Sequence, residues 1–143
     1  MSKLELKHLA GYLPYGLKGI NEMHGFKTDI KCIQTDGDIV HSFGKSPIRF
    51  IKPILRPLSY LNKEIEVNEE KFVPIDRLFG SAYRIQGFKH YLNIFNGGFE
   101  LTMTKENRTI YADFNMYQKL FEWHFDIYGL IEKGLAIDIN TIK

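Results

Sequence analysis

Residues 115–139 hold the densest run of large apolar side chains and the clearest start and stop signals, so they constrain the fold most. Asn115 with Gln118 three residues on is a capping-box pattern, in which side chains reach the otherwise unpaired amides of a first helical turn. Leu120, His124, Ile127 and Ile131 recur at helical spacing, flanked by Phe121, Phe125 and Tyr128. Lys133 and Gly134 supply a cationic last turn and a left-handed stop, so the spacing predicts one long helix over 115–134. Met116, Trp123 and Leu130 widen its apolar surface beyond one stripe, the mark of a helix covered on more than one side. Leu135, Ile137 and Ile139 alternate with Ala136 and Asp138, which predicts a half-buried strand directly after it.

Before that stretch the signals are shorter. Ser2 with Glu5 repeats the capping-box pattern, and Leu6, Leu9, Ala10 and Leu13 follow at helical spacing, with Pro14 as the expected stop. Residues 28–34 and 39–43 read as a hairpin around Asp36-Gly37, a dipeptide that tolerates the positive φ of tight turns. Pro47, Pro53 and Pro57 forbid a continuous helix over 46–59 and argue against a central strand, leaving an extended apolar segment at a sheet edge. Leu58, Leu61 and Ile65 suggest a short amphipathic helical turn, residues 69–71 a polar link, and Pro74 opens a second short helix through Phe79. Residues 81–95 fit two strands broken at Gly87, or a loose helix. After the Asn96-Gly97-Gly98 turn, Phe99, Leu101 and Met103 alternate with polar residues and pair in hairpin fashion with Ile110, Ala112 and Phe114. The prediction is an α+β fold in one compact domain spanning 1–143, with a short N-terminal helix, antiparallel hairpins and a long buried C-terminal helix followed by a short strand.

A chain of 143 residues, 44% hydrophobic and 14% aromatic, has enough apolar surface to fold without a metal or disulfide staple. Its single cysteine excludes an internal disulfide, and with no charged-then-apolar leader and no long apolar run the expected setting is the cytoplasm of a host cell, without a membrane partner. The net charge of +2 is too small to imply nucleic-acid binding, so any such surface must come from local clustering.

No catalytic constellation stands out. There is no glycine-flanked serine elbow, no Walker loop and no dinucleotide fingerprint, so no catalytic residue, metal or cofactor is assigned. Cys32 alternates with Ile30 on the expected strand and reads as a small buried hydrophobe. His124, on the apolar side of the expected helix, reads as a hydrogen-bonded core member, and Glu122 and Asp126 beside it have the wrong period to share one ion. Asp113, Asp138 and Glu122 allow a metal-dependent nuclease to be imagined, since carboxylates at strand ends hold magnesium, but nothing specifies it. The better candidate surface is Lys45, Arg49, Lys52 and Arg56, with no acid between them and with Phe50 and Tyr60 close by. Cations neutralise phosphates and rings stack on unpaired bases. The competing reading is that Glu64, Glu66, Glu69 and Glu70 compensate these charges within the fold. Arg84, Lys89, His90 and Tyr91 form a weaker set of the same kind.

Three runs in this order carry a resemblance: Leu9-Ala10-Gly11-Tyr12-Leu13-Pro14-Tyr15-Gly16-Leu17-Lys18, residues 51–59 (IKPILRPLS), and residues 119–140 (KLFEWHFDIYGLIEKGLAIDIN). Together they resemble a family of small proteins of bacterial prophages and mobile elements. The resemblance implies a phage accessory product, a class that includes non-enzymatic antagonists of host defence such as anti-CRISPR proteins, and it assigns no catalytic residue. The expected function is therefore stoichiometric binding to a host protein or ribonucleoprotein, with possible RNA contact, through Lys45, Arg49, Lys52, Arg56 and Tyr60. Plain nucleic-acid binding and a metal-dependent nuclease are the alternatives.

Overall fold

Alternating strands and short helices give the chain an α+β architecture, described in a computed structural model for residues 3–34, 36–41, 44–79, 89–95, 98–105, 108–111 and 113–142. For 79 and 89–111, Thr104 excepted, the description covers the backbone alone. The elements in chain order are α1 (Leu6–Ala10), β1 (Lys18–Asn21), β2 (Phe26–Ile33), β3 (Asp38–His41), β4 (Gly44–Pro47), β5 (Ile51–Leu55), β6 (Ile65–Val67), β7 (Glu70–Phe72) and α2 (Pro74–Phe79). There follow β8 (Lys89–Phe95), β9 (Gly98–Lys105), β10 (Arg108–Tyr111), α3 (Phe114–Glu122) and β11 (Ile137–Asp138). Two compact units divide them: residues 1–57 with 121–143, and residues 58–120. None of the helices among the described residues is long and apolar enough to cross a membrane.

In the first unit a six-stranded sheet has the order β11-β5-β1-β2-β3-β4. Its neighbours are antiparallel except for the parallel β11–β5 pair. The β2–β3 hairpin turns where Asp36-Gly37 predicts it: Gly37 has φ +93°, and the Asp36 carboxylate accepts the Asp38 N–H at 2.9 Å. Thr28 and Ile30 are buried while Lys27, Asp29 and Lys31 are exposed, so one face of β2 points into the core. A register shift between Ile30 and Cys32 then breaks the alternation. Cys32 is exposed, not buried as alternation alone predicts, because the bulge turns it to the solvent side.

The proline-interrupted segment is extended, as expected, but β5 lies between β1 and β11 and not at the edge. The reason is the short reach of β11, which pairs only at Ile54 and Leu55. At Pro53 the strand still has a neighbour on one side only, where a missing N–H is tolerated. Pro53 sits opposite Gly19, whose absent side chain lets Ile30 and Ile51 close in: a Cβ there would meet them at 2.9 and 3.1 Å. Leu9, Tyr12, Leu17, Ile39, Ile51, Leu55 and Leu130 complete the core.

α1 is shorter than its apolar spacing suggests. It ends at Gly11, where a Cβ would run into the Phe121 ring. The described start is Glu5, whose N–H is accepted by His8 Nδ1 at 2.9 Å, while Ser2 lies outside the described residues. α3 begins at Phe114, one residue before the expected start, and its cap is not Asn115 but the Asp113 carboxylate, which accepts the Met116 N–H at 3.0 Å.

The larger difference is at its other end. Helix is expected to Gly134, yet α3 stops at Glu122 and residues 123–136 run through turns. His124 takes φ +60°, and the chain straightens alongside Arg56. The Arg56 N–H donates to the His124 carbonyl at 2.7 Å, and the Asp126 N–H donates to the Arg56 carbonyl at 2.8 Å. The Tyr12 hydroxyl donates to the Phe125 carbonyl and accepts the Ile127 N–H at 3.2 Å. The Asp126 carboxylate then takes the N–H groups of Leu130 and Ile131 at 2.7 and 2.9 Å. Side chains thus supply partners that a helix would supply from its own backbone. Trp123, Phe125, Ile127 and Leu130 are all buried, so the apolar spacing is satisfied without a helix.

The second unit holds the three-stranded antiparallel sheet β10-β9-β8, the β6–β7 hairpin and α2. β9–β10 is the hairpin expected from alternation, but β10 ends at Tyr111, Ala112 lies outside the described residues and Phe114 opens α3 instead of extending the strand; β8 is one of the two strands expected in 81–95, the rest of which lies outside the described residues. The supposed polar link at 69–71 is a strand hairpin, turning through Asn68 and Glu69 at φ 51° and 70°. The fold depends on the Tyr12 hydroxyl, so Tyr12→Phe should cost about 1–3 kcal/mol in urea unfolding by leaving the Phe125 carbonyl and Ile127 N–H without it in the core.

Candidate functional site

The basic stretch follows the chain from the β4 edge across β5, and its members have unlike surroundings. Lys45 on β4 is exposed, its ammonium 3.4 Å from the Gln34 side-chain oxygen. Arg49, on the single 3₁₀ turn after β4, is exposed with its guanidinium 4.6 Å from the Phe50 ring centre. Neither has a carboxylate within ion-pair distance among the described residues. Lys52 pairs with Glu22 at 3.2 Å, so its compensating acid comes from the end of β1 and not from the glutamates of 64–70. Arg56 is half-buried: Nε donates to the Trp123 carbonyl at 3.2 Å, and burial lowers its basicity. Tyr60 belongs to the second unit, where the Lys63 ammonium lies 4.5 Å over its ring. Glu70 there pairs with Arg77. Of the weaker set, Arg84 lies outside the described residues and Lys89, His90 and Tyr91 are described by backbone alone.

His124 is a packed wall and not a helical face. Its Nε2 lies 2.7 Å from the Tyr15 carbonyl, which only accepts, so Nε2 carries the proton and a neutral ring leaves Nδ1 bare. Burial lowers its pKa below the ordinary histidine value against the pull of the Tyr15 bond, and the positive charges of Arg56 and Lys18 lower it further. Burial also raises the Asp126 pKa, opposed by the two N–H groups it accepts. The His124 ring lines a cavity of about 290 Å³ with Ile54, Ile139, Ile142, Lys18 and Lys27.

A second polar group was not legible as one in the sequence. Asn21, Thr28, His41 and Ser46, from β1 to β4, are all buried and linked. Asn21 Nδ2 donates to Ser46 Oγ at 3.1 Å, His41 Nε2 lies 3.0 Å from the same oxygen, and His41 Nδ1 lies 3.3 Å from Thr28 Oγ1. A serine and an imidazole at this distance form a nucleophile–base pair only if substrate reaches the oxygen. Ser46 is 9% exposed and already accepts from Asn21, so the group ties four strands together. Its sequence signal is polar residues at positions whose alternation assigns them to the core face.

The carboxylates considered for a nuclease have local work. Asp113 caps α3, Asp138 Oδ1 accepts the Asn140 N–H at 2.8 Å, and Glu122 is exposed at the end of α3. Among the described residues no three of His, Cys, Asp or Glu gather closely enough to hold a metal ion. No family model, curated protein or solved structure matches the chain.

Two measurements follow. A histidine whose folded pKa lies below about 6.5 gives its full stability above that pH and loses it as acid charges the buried ring. The melting temperature should therefore fall as pH drops from about 7.5 to about 5.5, and His124→Asn, which tolerates positive φ, should flatten that fall. His8 should retain part of it, because burial lowers its pKa as well. Cys32 should couple one equivalent of a maleimide in the native protein, whereas a buried thiol would react only after unfolding.

Proposed function

We propose that the chain is a stoichiometric binding protein of the phage accessory class, and that it blocks a host defence ribonucleoprotein in the manner of an anti-CRISPR protein. The resemblance of its three runs to prophage proteins supports the class. The observation that carries the surface is the β4 edge. Among the described residues β4 ends the six-stranded sheet and its outer side meets no further strand, and Lys45 and Arg49, exposed on it and just beyond it, have no carboxylate partner there.

Such an edge offers backbone donors and acceptors with two positive charges beside them, which suits the acidic or phosphate-bearing rim of a larger complex. Lys52 and Arg56 are engaged elsewhere in the first unit, Lys52 by Glu22 and Arg56 at the Trp123 carbonyl, and so stand outside this surface. Two uncompensated cations would give a salt slope of only about −1.4 on single strands, too shallow for naked nucleic acid to be the main target.

The experiment is capture of a host defence effector complex by the purified chain, with Lys45→Glu and Arg49→Glu combined. The double variant should melt like the wild type and lose at least about tenfold in affinity for the complex. Equal capture by both would remove the surface. Binding of RNA alone with a steep loss in salt would replace this reading with plain nucleic-acid binding.

A further inference from the structure

The sheet of the first unit has two unlike faces. Gly19, Thr28, Ile30, Ile51 and Pro53 are buried on the inner one, while Lys18, Lys27, Asp29 and Lys52 alternate onto the outer one. Ile54 shares the parity of Lys52 and so belongs to the outer face, yet it is 4% exposed. His124, Ile139 and Ile142 line the same cavity as Ile54, with Lys18 and Lys27 completing it. One end of this largely charged face, on which Ile20 is half-buried between Lys27 and Lys52, thus forms an apolar hollow.

We propose that this hollow is a binding site for a small monocarboxylate, its aryl or branched alkyl body lying on Ile54, Ile139 and Ile142 and its carboxylate meeting Lys27. The size fits a small ligand: about 290 Å³ lies at the lower bound of the roughly 300–1,000 Å³ of small-molecule sites. The walls fit, since small-molecule sites are mostly apolar with a few placed polar groups. The charge fits a single negative group. Among the described residues no acid lines the cavity, and Lys18 is compensated by Asp29 at 2.6 Å. Lys27 has no carboxylate partner among the described residues. His124 adds no second cation, because its Nε2 proton is committed to the Tyr15 carbonyl and burial keeps the ring neutral. A dianion such as phosphate would lack donors, and a cation would meet two lysines. The site shares no residue with the β4 edge, so its test stands apart from that of the proposed function.

The test uses phenylacetate as probe and phenylacetamide as its uncharged counterpart, followed by calorimetry and by isoleucine methyl shifts of the whole chain. Phenylacetate should bind saturably with a dissociation constant of about 0.1–10 mM, as expected for about ten non-hydrogen atoms, and should shift the methyls of Ile54, Ile139 and Ile142. The amide should bind about three- to fivefold more weakly, the worth of one exposed charge contact. Lys27→Gln should bring the acid down to the amide's affinity and leave the amide unchanged. Ile142→Trp should fill the hollow and abolish both; if that variant does not fold, the exposed Lys27→Gln decides alone. Absence of saturable binding, equal affinity for acid and amide, or shifts confined to other isoleucines would overturn the proposal.

Discussion

The Tyr12 hydroxyl, bonded to the Phe125 carbonyl and the Ile127 N–H, joins two stretches more than a hundred residues apart. Tyr12, Phe125 and Ile127 are fully buried, and burial drives the phenol's pKa far above its ordinary value, so it stays protonated and keeps donating. This contact decides the path of everything after α3. Once Phe125 is held against Tyr12, Arg56 can pair through its backbone on both sides of Phe125. His124 then has to take a left-handed conformation, at a cost of order 1–2 kcal/mol for a residue with a Cβ. Its ring bond to Tyr15 and the carboxylate bonds of Asp126 offset that strain locally.

Much of the sheet was legible because its signals are local. Asp36-Gly37 names its own turn, and the alternation of residues 99–104 names β9. The run after Glu122 was not, because apolar spacing reports which residues are buried and not the backbone that buries them. Gly129, a costly residue in a helix interior, and Asp126, a competitor for backbone amides, were the opposing signals within that run. Pro53 misled in the other direction. A proline argues against an interior strand only where both neighbours pair at that residue, and a two-residue β11 leaves no mark in the sequence. Cys32 failed for a similar reason, since a bulge is a matter of register between strands and not of composition.

The candidate sites divide along the same line. Basic residues near one another in sequence were legible as a cluster, but their chemistry depends on the long-range neighbours each one meets. Glu22 neutralises Lys52, Trp123 anchors Arg56, and of the four cations Lys45 and Arg49 are those without a carboxylate partner among the described residues. The hollow at Ile54 could not be seen because it needs β1, β2, β5, His124 and the C-terminal turn at once. Its one sequence trace is an isoleucine at the parity of Lys52, on a face where Lys18, Lys27, Asp29 and Lys52 surround the half-buried Ile20.

A short edge strand bearing lysine is also the usual means of keeping a sheet from pairing with its own copies. β4 meets that description, with four residues, Gly44 at φ +129° and Pro47 at its end. The same features limit what it could bind. An edge of four residues ending in proline can add at most a few backbone hydrogen bonds, too few to hold a partner strand unaided. Binding energy must then come from side chains that flank the edge, and among the four cations of this stretch Arg49 is best placed to give it. A guanidinium supplies forked donors for carboxylate or phosphate and loses less hydration than an ammonium when a partner covers it. Phe50 beside it offers a flat apolar surface on which that guanidinium rests, reducing the freedom it would lose on binding. Lysine at the edge opposes pairing with a second copy, and under the proposed function arginine at the turn would supply recognition, so the two demands fall on neighbouring residues without conflict.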